Sequence, residues 1–297
     1  MEIKLNVGAS PIWRNNSWHI LDHKVKKNSA PKSNLVKGEA KKIYLKDGSC
    51  SIIFTSHTLE HIPHYDIQKV FLEFSRVLKI GGVLRIIVPD LRRIATAYVK
   101  NDKTFFKKAF VEVEKIRHDL GFGGILMNYI VSPGQDTILL NRDMTEFIGG
   151  YSHVYAYDFD MLKILLKSCG FGQIKEKKFC ESSVPEMREP LHVTSMEKKW
   201  QNLNDAFYKK NNLKHEYKNG KYQINFTVTG FDRSPIISLI VEARKIKNIN
   251  KKKVQDINGI KTASYNHYGF SLLHDKNVKK RLKLLGISTN LKKYFLN

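Results

Sequence analysis

Between Ser51 and Pro89 the sequence sets a run of apolar residues, a helical repeat and a second apolar run in that order. Few architectures accommodate such a series. Ser51-Ile-Ile-Phe-Thr55 and Val83-Leu-Arg-Ile-Ile-Val88 are mostly apolar on successive residues, as strands buried on both faces are. Between them Ile67, Val70, Phe71, Phe74, Val77 and Leu78 recur at helical spacing. Asp66 is the expected N-cap of that helix and Gly81 its expected stop. Strand, helix and strand of this kind predict an α/β fold with a parallel sheet under covering helices.

The rest of the chain fits around that unit. Ile3-Lys-Leu-Asn-Val7 reads as a buried strand stopped by Gly8, and Trp18-His-Ile-Leu21 as a second strand ending at Asp22. Residues 91–119 read as helical, and 121–152 as a Gly-rich irregular stretch. Asp158 to Cys169 reads as a helix; Asp158 is either its N-cap, with Tyr155 and Tyr157 packed, or part of a substrate-facing cluster with His153, Tyr155 and Tyr157. Residues 173–179 and 235–244 read as strands. Between those strands, about 190–230, lies an expected insertion with a helix at 195–210 and a hairpin around Asn219-Gly220. The expected domain is therefore 1–247, followed by a basic tail, 248–297, with a short amphipathic helix at 278–285.

Charge narrows the partners without naming one. Lys and Arg number 51 against 28 Asp and Glu, a net charge of +23. Residues 245–297 alone hold 13 basic and two acidic residues. Such a balance suits contact with a polyanion: nucleic acid, an anionic membrane face or acidic glycans. Yet only 11 of the 51 cations are Arg, the residue whose planar fork suits bidentate phosphate and base recognition. A solvated lysine-rich surface accounts for the excess equally well. Three cysteines without paired spacing, Cys50, Cys169 and Cys180, argue against a disulfide framework. Neither an apolar span of membrane length nor a basic-then-apolar leader is present in this sequence. A reducing, cytoplasmic setting is the expectation.

The motifs form an ordered series. Leu5-Asn-Val-Gly8-Ala-Ser10 follows the first strand, and Asp22 closes the second. Gly38-Glu-Ala40 and Asp47-Gly-Ser49 come next. Ser56-His-Thr-Leu-Glu-His61, Arg76-Val-Leu-Lys-Ile-Gly-Gly-Val-Leu84 and Val88-Pro-Asp-Leu91 complete it. Small residues after a first parallel strand let a ligand approach the backbone, and an acid after the second can accept from ribose hydroxyls. A lone glycine turn is common and Asp22 also reads as a turn residue, so the series carries more than any one piece. Over residues 3–91 it resembles the class I S-adenosylmethionine-dependent methyltransferases, in particular their small type 11 group. The resemblance resumes at His153-Val-Tyr-Ala-Tyr-Asp158 and closes on Ser238-Leu-Ile-Val-Glu-Ala-Arg-Lys245.

That resemblance implies a Rossmann-like sheet of seven mostly parallel strands with helices on both faces. It also implies methyl transfer from S-adenosylmethionine to an acceptor. Asn6, Gly8, Ala9 and Ser10 would line the methionine end of the cofactor, and Asp22 would hold the ribose. Glu39 would lie near the adenine amine, with Ser56 and His57 beside the reactive methyl. Ser10 stands where the family usually has a second glycine, and Ile80 where proline is common. For a hydroxyl acceptor a base is needed, and a near-neutral imidazole suits that task. His57 is the first candidate and His153 the second. A small molecule, sugar or lipid is the favoured acceptor.

Other readings stay open. His57-Thr-Leu-Glu60-His61 also matches H-x-x-E-H, the inverted zinc-peptidase motif. Pro63 follows too soon for one helix to carry both histidines, so no metal is expected. Glu60 and His61 also read as a structural pair. A binding protein for nucleic acid or membranes on a degenerate methyltransferase fold is the alternative from another class. An RNA methyltransferase that uses the basic tail is a third.

Overall fold

The computed structural model describes residues 2–9, 17–22, 34–109, 121–131, 153–178, 181–188, 217–218, 221–222, 237–250 and 254. The chain divides into compact units 1–257 and 258–297, and the second lies wholly outside the described residues. So do Ser10, Cys180, the helix expected at 195–210 and the tail helix expected at 278–285.

Six strands form the main sheet. They are β1 (Ile3–Val7), β2 (His19–Leu21), β5 (Cys50–Ser56), β6 (Leu78–Pro89), β7 (Phe171–Lys177) and β10 (Ser238–Lys245). Their spatial order is β2-β1-β5-β6-β10-β7. The pairs β1–β2, β1–β5 and β5–β6 are parallel, while β10 runs antiparallel to both β6 and β7. The order reverses between β1 and β5, where doubly wound sheets bind ligands beyond their carboxyl ends. A seventh strand was expected, and six are found among the described residues. At the outer edge of β2 a single parallel bridge, Ile20 to Leu35, stands where it would run. The chain leaves at once for a hairpin of β3 (Gly38–Glu39) and β4 (Lys42–Ile43).

Helix α1 (His64–Val77) and helix α5 (Phe159–Ser168) share one core with one face of the sheet. Phe71, Phe74, Val77, Leu162 and Leu166 are fully buried there against Leu5, Ile53 and Leu84. Each such side chain contributes about 1.5–3 kcal/mol through apolar burial. The other face packs Trp18, Ile20, Phe54, Ile87 and Ile240 against Met187 of a short 3-10 turn, Pro185–Arg188. A third cluster joins α2 (Leu91–Val99), α3 (Lys103–Ala109) and α4 (Gly121–Val131) around Ala97, Phe106, Ile125 and Ile237.

Several boundaries differ from the sequence expectation. Asp66 lies inside α1 rather than capping it; Pro63 is the N-cap, and Asp66 pairs with Lys41 and Lys69. α1 does not reach Gly81, because Leu78 is already extended and begins β6. The helical stretch from 91 is broken at Asn101, whose φ is +50°. Residues 121–131, expected to be irregular, are helical despite three glycines, since Phe122 and Ile125 pack into the third cluster. The expected hairpin is present as β8 (Tyr217–Lys218) paired with β9 (Lys221–Tyr222). Asp158 caps α5 as expected, its carboxylate accepting from the Met161 amide at 2.9 Å.

One buried ion pair fixes the antiparallel side of the sheet. Arg85 of β6 and Glu242 of β10 are register partners, with Nη1 2.6 Å from Oε1. Glu242 also accepts from the Ser183 amide at 2.9 Å and from the Ser182 hydroxyl. Burial raises its pKa, but these bonds and the Arg85 charge hold it below the usual carboxylate range.

Candidate active site

The carboxyl edge of the sheet gathers most of the residues singled out in the sequence. Val7 is the register partner of both Leu21 and Thr55. The next residue on each strand is Gly8, Asp22 or Ser56, and these three follow one another across the edge. Gly8 has φ +77°, and its amide donates to the Leu21 carbonyl at 2.8 Å. A Cβ there would lie 2.0 Å from Thr58 Oγ1. Both the backbone angle and the space therefore demand glycine. Asn6 is 2% exposed, Ala9 is buried and Asp22 is half-buried. The Ser56 hydroxyl is buried with no hydrogen-bond partner among the described residues. Glu39 stands apart, exposed on the β3–β4 hairpin rather than on the sheet.

These residues fit the cofactor that the motif series implies. A row of polar groups with an unmatched buried hydroxyl at a reversal point of the sheet suits a zwitterionic amino acid. A carboxylate at the next strand end suits a ribose diol.

Beyond Ser56 the chain turns sharply. His57 takes φ +48°, a region costly for a residue with a Cβ, and its amide donates to Ile87 of β6 at 2.8 Å. Its ring joins two other elements. Nε2 lies 3.1 Å from the Ser238 hydroxyl at the start of β10. Nδ1 lies 3.1 Å from Oε1 of Glu60, which sits in a 3-10 turn, Leu59–His61. Pro63 does end that turn before α1 begins, as expected.

Glu60 is the electrostatic centre of the region. Its side chain is 1% exposed. Burial alone would raise its pKa. The imidazoles of His57, His61 and His153 reverse this and hold it below the usual carboxylate range. Neither carboxylate oxygen has a well-aligned hydrogen bond from a described residue. His153 reaches Glu60 from far along the chain. The Glu60 carbonyl accepts from the Val154 amide at 2.8 Å and the Tyr155 amide at 3.3 Å, which docks that segment. His153 Nε2 is then 4.0 Å from Glu60 Oε1, and Nδ1 is 2.8 Å from the Tyr129 carbonyl of α4. Burial pushes the His153 ring below the ordinary imidazole range, against the pull of Glu60.

The expected pairing of Glu60 with His61 alone is thus widened. The nearest imidazole contact to Glu60 is His57, with His61 and His153 completing the surround. Ser238 and the Tyr129 carbonyl were not foreseen. Neither carries a local sequence signal, since the first depends on an antiparallel pairing and the second on a helix packing late in the chain. Glu60 did carry one, because the series His57-Thr-Leu-Glu60-His61 sets it between two histidines.

Residues 16–86 match the family described as methyltransferase domain. No curated protein sequence matches the chain. Among solved structures, a SAM-dependent methyltransferase from Thermotoga maritima is 15% identical with a TM-score of 0.38, covering 82% of each chain. Another from Archaeoglobus fulgidus is 14% identical with a TM-score of 0.38, covering 82% of this chain and 86% of that one. Likenesses this distant carry no statement about activity or substrate. Among the described residues no helix is long and apolar enough to cross a membrane.

Proposed function

We propose that this chain, whose residues 16–86 match a methyltransferase domain, uses S-adenosylmethionine to methylate a hydroxyl acceptor beside His57. A bound sulfonium supplies an already activated methyl, so the protein's task is placement. Asn6, Gly8, Ala9 and Ser10 hold the amino-acid end, and Asp22 accepts from the ribose hydroxyls. Ser56 offers its unmatched hydroxyl between them. His57 takes the acceptor's proton as it attacks, and Glu60 orients that ring through its contact to Nδ1. His153, turned toward Glu60 and the Tyr129 carbonyl, supports Glu60 rather than meeting the acceptor.

The observation that carries this reading is the row of Gly8, Asp22 and Ser56 at the reversal point of the sheet, with His57 next to it. An acceptor of sugar, lipid or small-metabolite type suits it, because a hydroxyl on such a molecule needs the base that His57 supplies. Calorimetric titration with S-adenosylhomocysteine tests the cofactor half. Wild type binds in the micromolar range. Asp22→Ala weakens binding by about 1–3 kcal/mol, the worth of hydrogen bonds to a charged acceptor. Equal affinity in both proteins removes Asp22 from the site.

A further inference from the structure

Glu60, His61 and His153 bring one carboxylate and two imidazoles to a single point, their ligand-type atoms all within 4.8 Å of one another. Glu60 is fully buried, and its oxygens lack a well-aligned hydrogen bond from a described residue, the nearest donor being His57 Nδ1 at 3.1 Å from Oε1. His153 sharpens the problem. A carbonyl can only accept, so the 2.8 Å contact to Tyr129 fixes the proton on Nδ1. In the neutral ring Nε2 then presents a lone pair, and it faces Glu60 Oε1 at 4.0 Å. Two lone-pair atoms facing each other in a buried space are stabilised by a positive charge between them. A ring nitrogen that donates to a backbone carbonyl while the other faces inward is also the usual arrangement of a metal-binding histidine.

We propose that Glu60, His61 and His153 form a binding site for a divalent transition-metal ion of the zinc type. Two imidazoles with one carboxylate suit such an ion, whereas magnesium and calcium favour all-oxygen sets. Three protein ligands leave a fourth position for water or an acceptor oxygen. Ligand atoms on a tetrahedral ion lie about 3.4 Å apart for bonds of about 2.1 Å. The cluster thus closes on the ion by small side-chain rotations. His57 holds the carboxylate from outside through its 3.1 Å contact to Oε1. The ligand set differs from the H-x-x-E-H pairing of His57 with His61, because the fold supplies His153 instead.

Cobalt(II) titration of the chelator-stripped, full-length chain tests the site, with zinc added in competition. One equivalent binds per chain and gives the visible bands of a four-coordinate ion without a thiolate charge-transfer band. Zinc raises the melting temperature, because it binds the folded state. His61→Ala and His153→Ala each weaken zinc binding tenfold or more, while His64→Phe leaves it unchanged; circular dichroism verifies the fold of each. Stoichiometry well under one in the wild type overturns the proposal even if a variant fails to fold. So does a thiolate band, or undiminished binding in both histidine variants. Binding of S-adenosylhomocysteine is read separately, so this site and the methyl-transfer reading fail independently.

Discussion

Gly8 shows how tightly one residue is specified. An alanine there would adopt a left-handed backbone costing about 1–2 kcal/mol and would also collide with Thr58. Gly8→Ala is expected to lose at least about 2 kcal/mol in urea denaturation; an unchanged midpoint would show that the turn relaxes freely. His64 is a titration probe away from the Glu60 cluster. Its ring stacks on Tyr155 at 4.0 Å, and burial lowers its pKa from the ordinary 6.5. Below that value the unfolded chain binds more protons than the folded one, so stability falls as pH drops and is flat above. His64→Phe keeps the stacking and removes the proton site. Its denaturation midpoint should fall less than wild type's between about pH 7.5 and 5.5; equal falls refute the assignment. The residues legible in advance were those with local rules, such as Gly8 after a strand and Asp158 before a helix. Ser238 was not, since it meets His57 only through strand pairing.

At the scale of elements, β6 and β10 are joined by charge as well as by backbone. Removing one partner of a buried pair strands the other, so Glu242→Ala is expected to cost about 3–5 kcal/mol. Arg85→Met with Glu242→Leu should cost clearly less than the sum of the two single changes, and a chemical-denaturation cycle of the wild type, Arg85→Met, Glu242→Leu and the double variant measures the difference. Additive losses would mean the two side chains act separately. The strands at 51–55 and 83–88 were legible because fully buried strands are apolar on successive residues. The helix at 121–131 was not, because its glycines mask a packing role that only Phe106 and Ala97 reveal. That the described residues hold six strands rather than seven has a similar cause. Leu35 makes one bridge before Gly38 turns the chain into the β3–β4 hairpin.

For the whole molecule, residues up to 257 form one compact unit, and Ile249 packs closely over Gly170. A chain ending at 257 is expected to keep its affinity for S-adenosylhomocysteine, measured by the same calorimetry; a loss would place part of the binding unit beyond that point. The two hydrogen bonds that the Val154 and Tyr155 amides donate to the Glu60 carbonyl have a consequence for timing. The Gly8–Asp22–Ser56 row is built from the first strands to be synthesised. The histidine-ringed carboxylate instead waits for a segment that arrives much later, and pairing across such separations is slow. A newly made chain therefore passes through a stage in which one half of its site is assembled and the other is open. The exchange rates of the amides of Val154 and Tyr155 mark the moment at which that second half closes.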